Sequence, residues 1–376
     1  MPRTGENIYK RKDGRWEGRY IKERIGGKAK YAAVYAGSYK DVKRKLDTAK
    51  RELGSSGVMR GKKGKVAYIG ERWLKEAAVT LKKSSFNKYE DILRCYILPE
   101  FGENELSEIT NQRIIDFANF LLLSGGSKQQ GLNPATVTEV LSVMNAIRVY
   151  ALKRDYAVIF SLECISLKKD PGKIRVFSQE EEGLLLAHLQ ENMDLTALGI
   201  LICLFTGIRI GELCAMRWDD ISLSERRMYV GKTLQRLRVT TPGGSRSRTE
   251  VKILEPKSSS SVRIIPLPDV IIEVLAKFYV PGTFVLTGKV SRFMEPRTMQ
   301  NRFKRILISC GIQDANFHAT RHTFATRCIE LGFDVKSLSE ILGHASVAIT
   351  MNRYVHPTME MKRENMNRFS NLFSAE

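Results

Sequence analysis

The sequence predicts a multi-domain chain. Its parts are a small α+β N-terminal domain (a three-stranded sheet plus a helix), an all-α middle domain, and a mainly α C-terminal domain with a small antiparallel sheet. Three observations lead there. At 376 residues the chain is too long for one ordinary core. Aromatic and β-branched residues interleave with charges near the start, whereas apolar residues recur at three- and four-residue spacing through the middle. Beyond about residue 174, apolar helical stretches alternate with short β-rich runs.

Residues 1–56 form the first part. Residues 15–21 and 30–35 read as strands joined by a turn at Gly26 and Gly27. Ser38-Tyr39-Lys40-Asp41 resembles a helix start, and a charged helix continues to about Leu53. Residues 57–65, which include Arg60, Lys62, Lys63 and Lys65 among glycines, read as a flexible basic linker. Residues 66–165 are helical, with helices expected over 66–81, 86–97, 111–123 and 134–152. Pro99 and Gly102 mark one loop, and Pro134 occupies a helix's first turn. A polar hinge at 168–173 leads into the last part, residues 174–376. There Ser178-Gln179-Glu180-Glu181 is a capping-box start and residues 195–205 read as a buried core helix. Runs around 228–230, 251–254 and 262–265 are expected to pair as a small antiparallel sheet. The remainder is mainly helical, with a C-terminal tail from about residue 358.

Net charge narrows the partner. Of a formal +20, residues 1–65 contribute +13, from 20 Lys and Arg against 7 Asp and Glu. Such a block is either a solubilising tail or a nucleic-acid surface. Trp16, Tyr20, Tyr31, Val34, Tyr35 and Tyr39 among those charges favour a folded face and therefore DNA or RNA. No apolar run approaches the ~20 residues that span a bilayer, and Met1-Pro2-Arg3-Thr4-Gly5 lacks a signal-peptide core. The expectation is a cytoplasmic, nucleoid-associated protein with no membrane partner. Six scattered cysteines without a Cys-x-x-Cys pair argue against structural zinc and a disulfide framework.

The chemistry concentrates near the end. His318-Ala-Thr-Arg321-His322, Leu342-Gly343-His344 and Arg353-Tyr354 gather imidazoles, arginines and a tyrosine in one span. In Thr206-Gly207-Ile208-Arg209-Ile210-Gly211-Glu212, Arg209 and Glu212 lie three apart on one helical face, so Glu212 is expected to orient Arg209. Arg209 and Arg321 brought together match the non-bridging oxygens of a phosphodiester. Tyr354 is then the candidate nucleophile. With an ordinary pKa of about 10 it needs a base or a strongly positive pocket, and His318 is the candidate acceptor of its proton. Lys257, between two expected strands, is the candidate acid for the departing 5′-oxygen. His322 is expected to point at the core, and His356 to cap the turn before Pro357. A zinc site from His318 and His322 is disfavoured, because the Glu of His-Glu-x-x-His is missing.

These motifs, with Pro256-Lys257-Ser258 and Arg263-Ile-Ile-Pro266-Leu267, occur in the order of the tyrosine recombinase (phage integrase) family and resemble it across the whole last part. Tyr89 to Gly102 and Ile109-Thr110 resemble the family's helical core-binding domain. The basic N-terminal sheet resembles the arm-type DNA-binding domain of conjugative-transposon and lambdoid integrases. The resemblance implies a 3′-phosphotyrosine intermediate on Tyr354, phosphate stabilisation by Arg209, Arg321 and His344, and acid/base work by His318. It implies no metal, ATP or other cofactor. It also implies double-stranded DNA with core-type and arm-type sites, a homotetramer exchanging strands through a Holliday junction, a C-terminal tail packed in cis or swapped onto a neighbour, and an excisionase or DNA-bending accessory protein. Thr320 departs from the family's frequent leucine, which implies a local packing difference. DNA contacts are expected from Arg15, Arg19, Lys22, Arg24, Lys28, Lys62 and Lys63. Residues 226–250 exceed a minimal hairpin and are expected to form an inserted β-ribbon reaching DNA through Arg236, Arg238, Arg246 and Arg248. The competing functions are a type IB-like topoisomerase, a chromosome-dimer-resolving recombinase and a DNA-binding regulator without catalysis. The extra N-terminal domain favours an integrase/excisionase.

Overall fold

Period-two alternation builds the first sheet. In the computed structural model, β1 (Ile8–Lys10), β2 (Trp16–Ile25) and β3 (Lys28–Ala36) pair antiparallel in the order β1-β2-β3. The structure describes residues 7–25, 28–56, 61–126, 129–163, 165, 167, 174–239, 248–255, 259–355, 363, 366 and 367. They divide between two compact units, Met1–Asp170 and Pro171–Glu376.

Ser38 Oγ accepts from the Asp41 amide at 3.1 Å and so starts α1 (Tyr39–Ser56). This helix lays Val42 and Leu46 on Ile8, Trp16, Tyr20, Val34 and Ala36. The other face of the sheet has a different chemistry. Tyr9, Glu17 and Tyr35 stand in register across the three strands. Glu17 accepts from Arg11 at 3.0 Å and Arg19 at 2.7 Å, while Arg19 lies over the Tyr9 ring and Arg11 over Tyr35. The expected turn at Gly26 and Gly27 lies outside the described residues.

The helical part comprises α2 (Val66–Ala77), α3 (Lys83–Ile92), α4 (Leu98–Phe101), α5 (Asn111–Ser124) and α6 (Pro134–Leu152). Asn133 caps α6 through the Ala135 amide at 2.8 Å, and Pro134 stands in its first turn. Pro99 does not end its helix as expected. A π-helical stretch, Leu93–Ile97, leads into the turn that holds Pro99, so helix continues to Phe101. The wider π turn changes the hydrogen-bond spacing where proline has no N–H to give.

The basic linker is also corrected over residues 61–65. Lys62 exchanges backbone hydrogen bonds with Asp155 and Ala157 at 2.8 and 3.1 Å, and Leu106 N donates to Gly64 O at 3.2 Å. The glycines expected to give flexibility permit close packing instead. A Cβ on Gly61 would stand 2.5 Å from the Ala157 nitrogen. The segment is thus docked rather than loose.

In the second unit the capping box of Ser178 and Glu181 opens α7 (Gln179–Glu191) as expected. The apolar helix α8 (Leu195–Thr206) is nearly all buried and ends on Gly207, whose φ is +64°. A Cβ there would meet Phe324 at 2.5 Å, so both space and conformation require glycine. Then follow α9 (Ile210–Ala215), β4 (Ile221–Ser222), β5 (Arg227–Val230), β6 (Thr233–Val239), β7 (Arg248–Leu254) and β8 (Arg263–Pro266). The sheet order is β4-β5-β8, while β6 and β7 pair with each other as a separate ribbon. Residues 251–254, expected in the sheet, therefore belong to the ribbon, anchored by buried Leu234 and Leu237. Helices α10 (Asp269–Phe278), α11 (Pro296–Ser309), α12 (His318–Glu330), α13 (Val335–Leu342) and α14 (Val347–Tyr354) complete the described fold. The Thr320 hydroxyl is fully buried and donates to Phe317 O at 2.8 Å, which is how this position dispenses with leucine.

Overpacking a close backbone contact costs about 1–3 kcal/mol. Gly61→Ala is therefore expected to accelerate amide hydrogen exchange in α6 peptides of the full chain, and unchanged protection there would contradict the docking.

Candidate active site

Helix α13 stops at Gly343, in the left-handed conformation with φ +64°. Its final carbonyls would be left without intrahelical partners. Three guanidiniums take them in sequence. Arg263 Nε donates to Ile341 O at 2.6 Å, Arg321 Nη2 to Leu342 O at 2.7 Å, and Arg209 Nη2 to Gly343 O at 3.2 Å. The negative end of the helix dipole faces all three cations.

Each arginine has a second anchor. Arg321, only 1% exposed, also donates to Gly207 O at 2.7 Å, which ties it to the end of α8. Arg209 precedes α9 and donates to Glu212 Oε1 at 2.8 Å. Glu212 is expected to orient Arg209, and it also binds Arg263 through both oxygens, at 3.0 and 3.3 Å. Both partners of the Glu212–Arg263 pair are nearly inaccessible, at 4% and 6% exposure. Burial pushes the Glu212 carboxyl up, but hydrogen bonds and charge from Arg263, then the charge of Arg209, bring it below its usual range. Removing one partner of such a buried pair costs about 3–5 kcal/mol.

Tyr354 ends α14 and is 6% exposed, packed with Ala325, Cys328, Leu338 and Leu342. Its hydroxyl lies 2.8 Å from His322 Nδ1. This corrects the expectation that His322 points at the core: it faces the tyrosine, while His318, the expected acceptor of the tyrosine's proton, stands beside it on the same helix. The physical reason is helical: positions four apart share one face, so His318 and His322 meet edge to face with centroids 4.6 Å apart. His322, one turn further along α12, reaches the hydroxyl. His344 bonds through Nδ1 to Thr350 Oγ1 at 2.8 Å, and its ring lies nearly parallel to that of Tyr354, 6.4 Å away.

The electrostatics follow from burial among cations. Burial, then Arg321, Arg209 and Arg353, lower His318 to about 4. Burial, then His318, Arg353 and Arg321, lower His322 to about 4. Burial, then Arg321, Arg209, Arg353 and Arg263, lower His344 to about 3. All three imidazoles are neutral at pH 7. Burial raises the Tyr354 phenol above its ordinary value, partly opposed by the charges of Arg321 and Arg353.

Lys257 lies outside the described residues, as do Arg246, His356 and most of the tail. The turn Ser259–Ser261 just beyond Lys257 does reach the site, because a Cβ on Gly343 would stand 3.1 Å from Ser260 O. Among the expected DNA contacts, Arg15 pairs with Asp13 at 2.8 Å, Arg19 with Glu17, and Lys63 with Glu105 at 3.2 Å. Arg236 pairs with Glu295 and bonds Thr249 at 2.8 Å, Arg238 lies on the same β6 strand, and Lys62 is held by its backbone. The side chains of Lys22, Arg24, Lys28 and Arg248 are outside the described set.

Arg263 and His322 were not assigned to the site from sequence. A signal existed for each. Strand alternation places Arg263 on the inward face with Ile265, where a charge needs a partner. The i,i+4 spacing of His318 and His322 sets both rings on one helix face, where the second can reach a tyrosine as well as a metal.

The Phage integrase family model matches residues 175–361, and the model of its N-terminal SAM-like domain matches residues 67–122. A tyrosine recombinase XerC-like protein of Caldanaerobacter subterraneus subsp. tengcongensis is 26% identical over 333 residues, covering 80% of this chain and 81% of its own. An integrase of Saccharopolyspora erythraea is 23% identical, covering 99% and 97%. Among solved structures, the Tn1549 transposon integrase in complex with transposon right end DNA superposes with TM-score 0.66 at 22% identity, covering 82% of this chain and 100% of its own. A lambda integrase tetramer bound to a Holliday junction gives TM-score 0.57 at 16% identity, covering 94% and 98%.

Histidines held well below their ordinary pKa of about 6.5 are protonated more readily in the unfolded chain, so they reduce stability as pH falls from 6.5 toward 4. The melting temperature should fall across pH 6.5–4.5, and His318→Gln with His322→Gln should flatten that fall. An equally steep decline in the double variant would contradict the burial of neutral imidazoles.

Proposed function

The chain belongs to the phage integrase family of tyrosine recombinases, and we propose that it is the integrase/excisionase of a mobile element, with Tyr354 as its nucleophile. It is a DNA breaking-and-rejoining enzyme. The observation that carries the residue assignment is the Tyr354 hydroxyl set 2.8 Å from a histidine nitrogen, within the field of Arg321 and Arg353.

Arg209 and Arg321 hold the non-bridging oxygens of the scissile phosphate. Each uses two donors on fixed protein acceptors and has further N–H groups for the substrate, since a guanidinium carries five. His344, anchored on Thr350, assists them. Tyr354 attacks phosphorus, leaving a 3′-phosphotyrosine and a 5′-hydroxyl. Lys257 supplies the proton to the departing oxygen, and the approach of its neighbouring turn to Gly343 supports that assignment. The arginines stabilise charge that grows on the equatorial oxygens in the transition state. The phosphotyrosine bond conserves the energy of the broken phosphodiester, so a 5′-hydroxyl of the partner duplex can reverse the step.

Residues 1–56 serve as an arm-type DNA-binding domain, 66–165 as the core-binding domain and 174–376 as the catalytic domain. Four copies act on paired sites through a Holliday junction, as the lambda structure's tetramer suggests, with the tail from about 358 docking in cis or on a neighbour. The protein works on cytoplasmic, nucleoid-associated DNA. Sheet face residues Arg11 and Arg19, fixed by Glu17 beside Tyr9 and Tyr35, favour an integrase over a type IB-like topoisomerase, which has no need of a second DNA-reading domain.

Two outcomes test this reading. A nicked duplex drawn from the DNA that flanks the gene should trap a covalent protein–DNA adduct, and Tyr354→Phe should abolish it. An adduct that persists in the variant would move the nucleophile elsewhere. Removal of residues 1–56 should leave cleavage of core sites intact and reduce complete recombination at least tenfold. Equal recombination by the truncated protein would remove the arm-binding role.

A further inference from the structure

We infer that His322, rather than His318, is the group that takes the proton from Tyr354 as the phosphotyrosine bond forms. The inference rests on the reading of Tyr354 as nucleophile.

Position is the first argument. His322 Nδ1 is 2.8 Å from the Tyr354 hydroxyl, within the range for direct proton transfer. Among the described residues no hydrogen bond joins His318 to that hydroxyl; its ring stands edge to face against His322, 4.6 Å away at 86°. His318 thereby helps fix the plane of the His322 ring, while the His322 and Tyr354 rings meet at a tilt of 50°.

Protonation is the second. His322 is faced by His318 and Arg321 from its own helix and by Arg353 and Tyr354 from α14. These surroundings keep it neutral at pH 7. Arg321 and Arg353, which can only donate, also hydrogen-bond the tyrosine oxygen. The tautomer is therefore assigned with the proton on Nε2, so that the phenol O–H donates to Nδ1. In the free protein the arginines also oppose protonation of His322. A bound phosphodiester brings negative charge to those same arginines, and the imidazole becomes a stronger base only when substrate is present.

The step balances without any further reactant. The Tyr354 Oη–phosphorus bond forms as the phosphorus–O5′ bond breaks. The phenolic proton passes to His322 Nδ1, and the leaving O5′ takes a proton from Lys257. In religation the imidazolium returns its proton to the departing tyrosinate, and the lysine accepts the one released by the attacking 5′-hydroxyl.

The test uses single-turnover adduct formation by the full chain on the nicked flanking-DNA substrate that the unaltered protein cleaves, between pH 5 and 9. His322→Asn places an amide oxygen near the position of Nδ1 and preserves a hydrogen-bond acceptor, but it takes no proton. It should slow adduct formation ~10²-fold, in the range of general-base catalysis, with DNA affinity unchanged. The unaltered chain should show an acid-side fall of the rate as His322 titrates in the DNA complex, and in the variant that fall should be absent. His322→Ala should be slow too and partly rescued by added imidazole, which a folding defect would not permit. An Asn variant within threefold of the unaltered rate, or a slow one that keeps the same acid-side fall, would overturn the inference. An adduct that forms through a residue other than Tyr354 would instead overturn the nucleophile assignment.

Discussion

Three arginines on three successive carbonyls hold this site together. Arg263, Arg321 and Arg209 cap Ile341, Leu342 and Gly343 at the end of α13. The helix end needs donors and the arginines need acceptors, so each requirement meets the other. Glu212 completes the arrangement by binding two of the three guanidiniums from within the core. Without those acceptors, cations this close would repel one another and Arg321 would have little reason to stay buried. The packing of α8, α9, α12 and α13 therefore sets where a phosphate can be gripped.

The same geometry fixes the tyrosine. Helix α14 follows α13 after a short turn and returns Tyr354 onto Leu338 and Leu342. The turn depends on Gly343, whose positive φ strains any other residue, and a Cβ there would stand 3.0 Å from Arg263 and 3.1 Å from Ser260 O. One local conformation thus presents a carbonyl to Arg209, places His344 beside the tyrosine, and starts the path to the nucleophile. His322 meets the hydroxyl from α12, the helix that also carries Arg321. The proposed nucleophile, base and charge stabiliser are thus mounted on helices that pack against one another.

Much of this was legible in the sequence because it is local. The capping box at Ser178, the apolar run of α8 and the i,i+3 pairs Arg209–Glu212 and His318–Arg321 all express themselves within a few residues. What escaped was set by tertiary partners. Nothing local says that Arg263 faces Glu212, 51 residues earlier in the chain, or that Gly61 and Gly64 tighten a contact with residues 155–157. Residues 251–254 read as part of the sheet because β-rich composition does not name a strand's partner. His322 reads as a core residue because nothing within its own helix names the tyrosine it meets 32 residues later.

The most direct measurement is a structure of the chain on nicked core-site DNA with vanadate at the nick, since five-coordinate vanadium resembles the phosphorane-like transition state. Vanadium should bond to Tyr354 Oη with its equatorial oxygens on Arg209 and Arg321, and His322 Nδ1 should remain within hydrogen-bond reach of the tyrosine oxygen. Vanadate bound away from the two arginines, or engaged by a different nucleophile while Tyr354 stays in its cluster with Leu338 and Leu342, would contradict this arrangement.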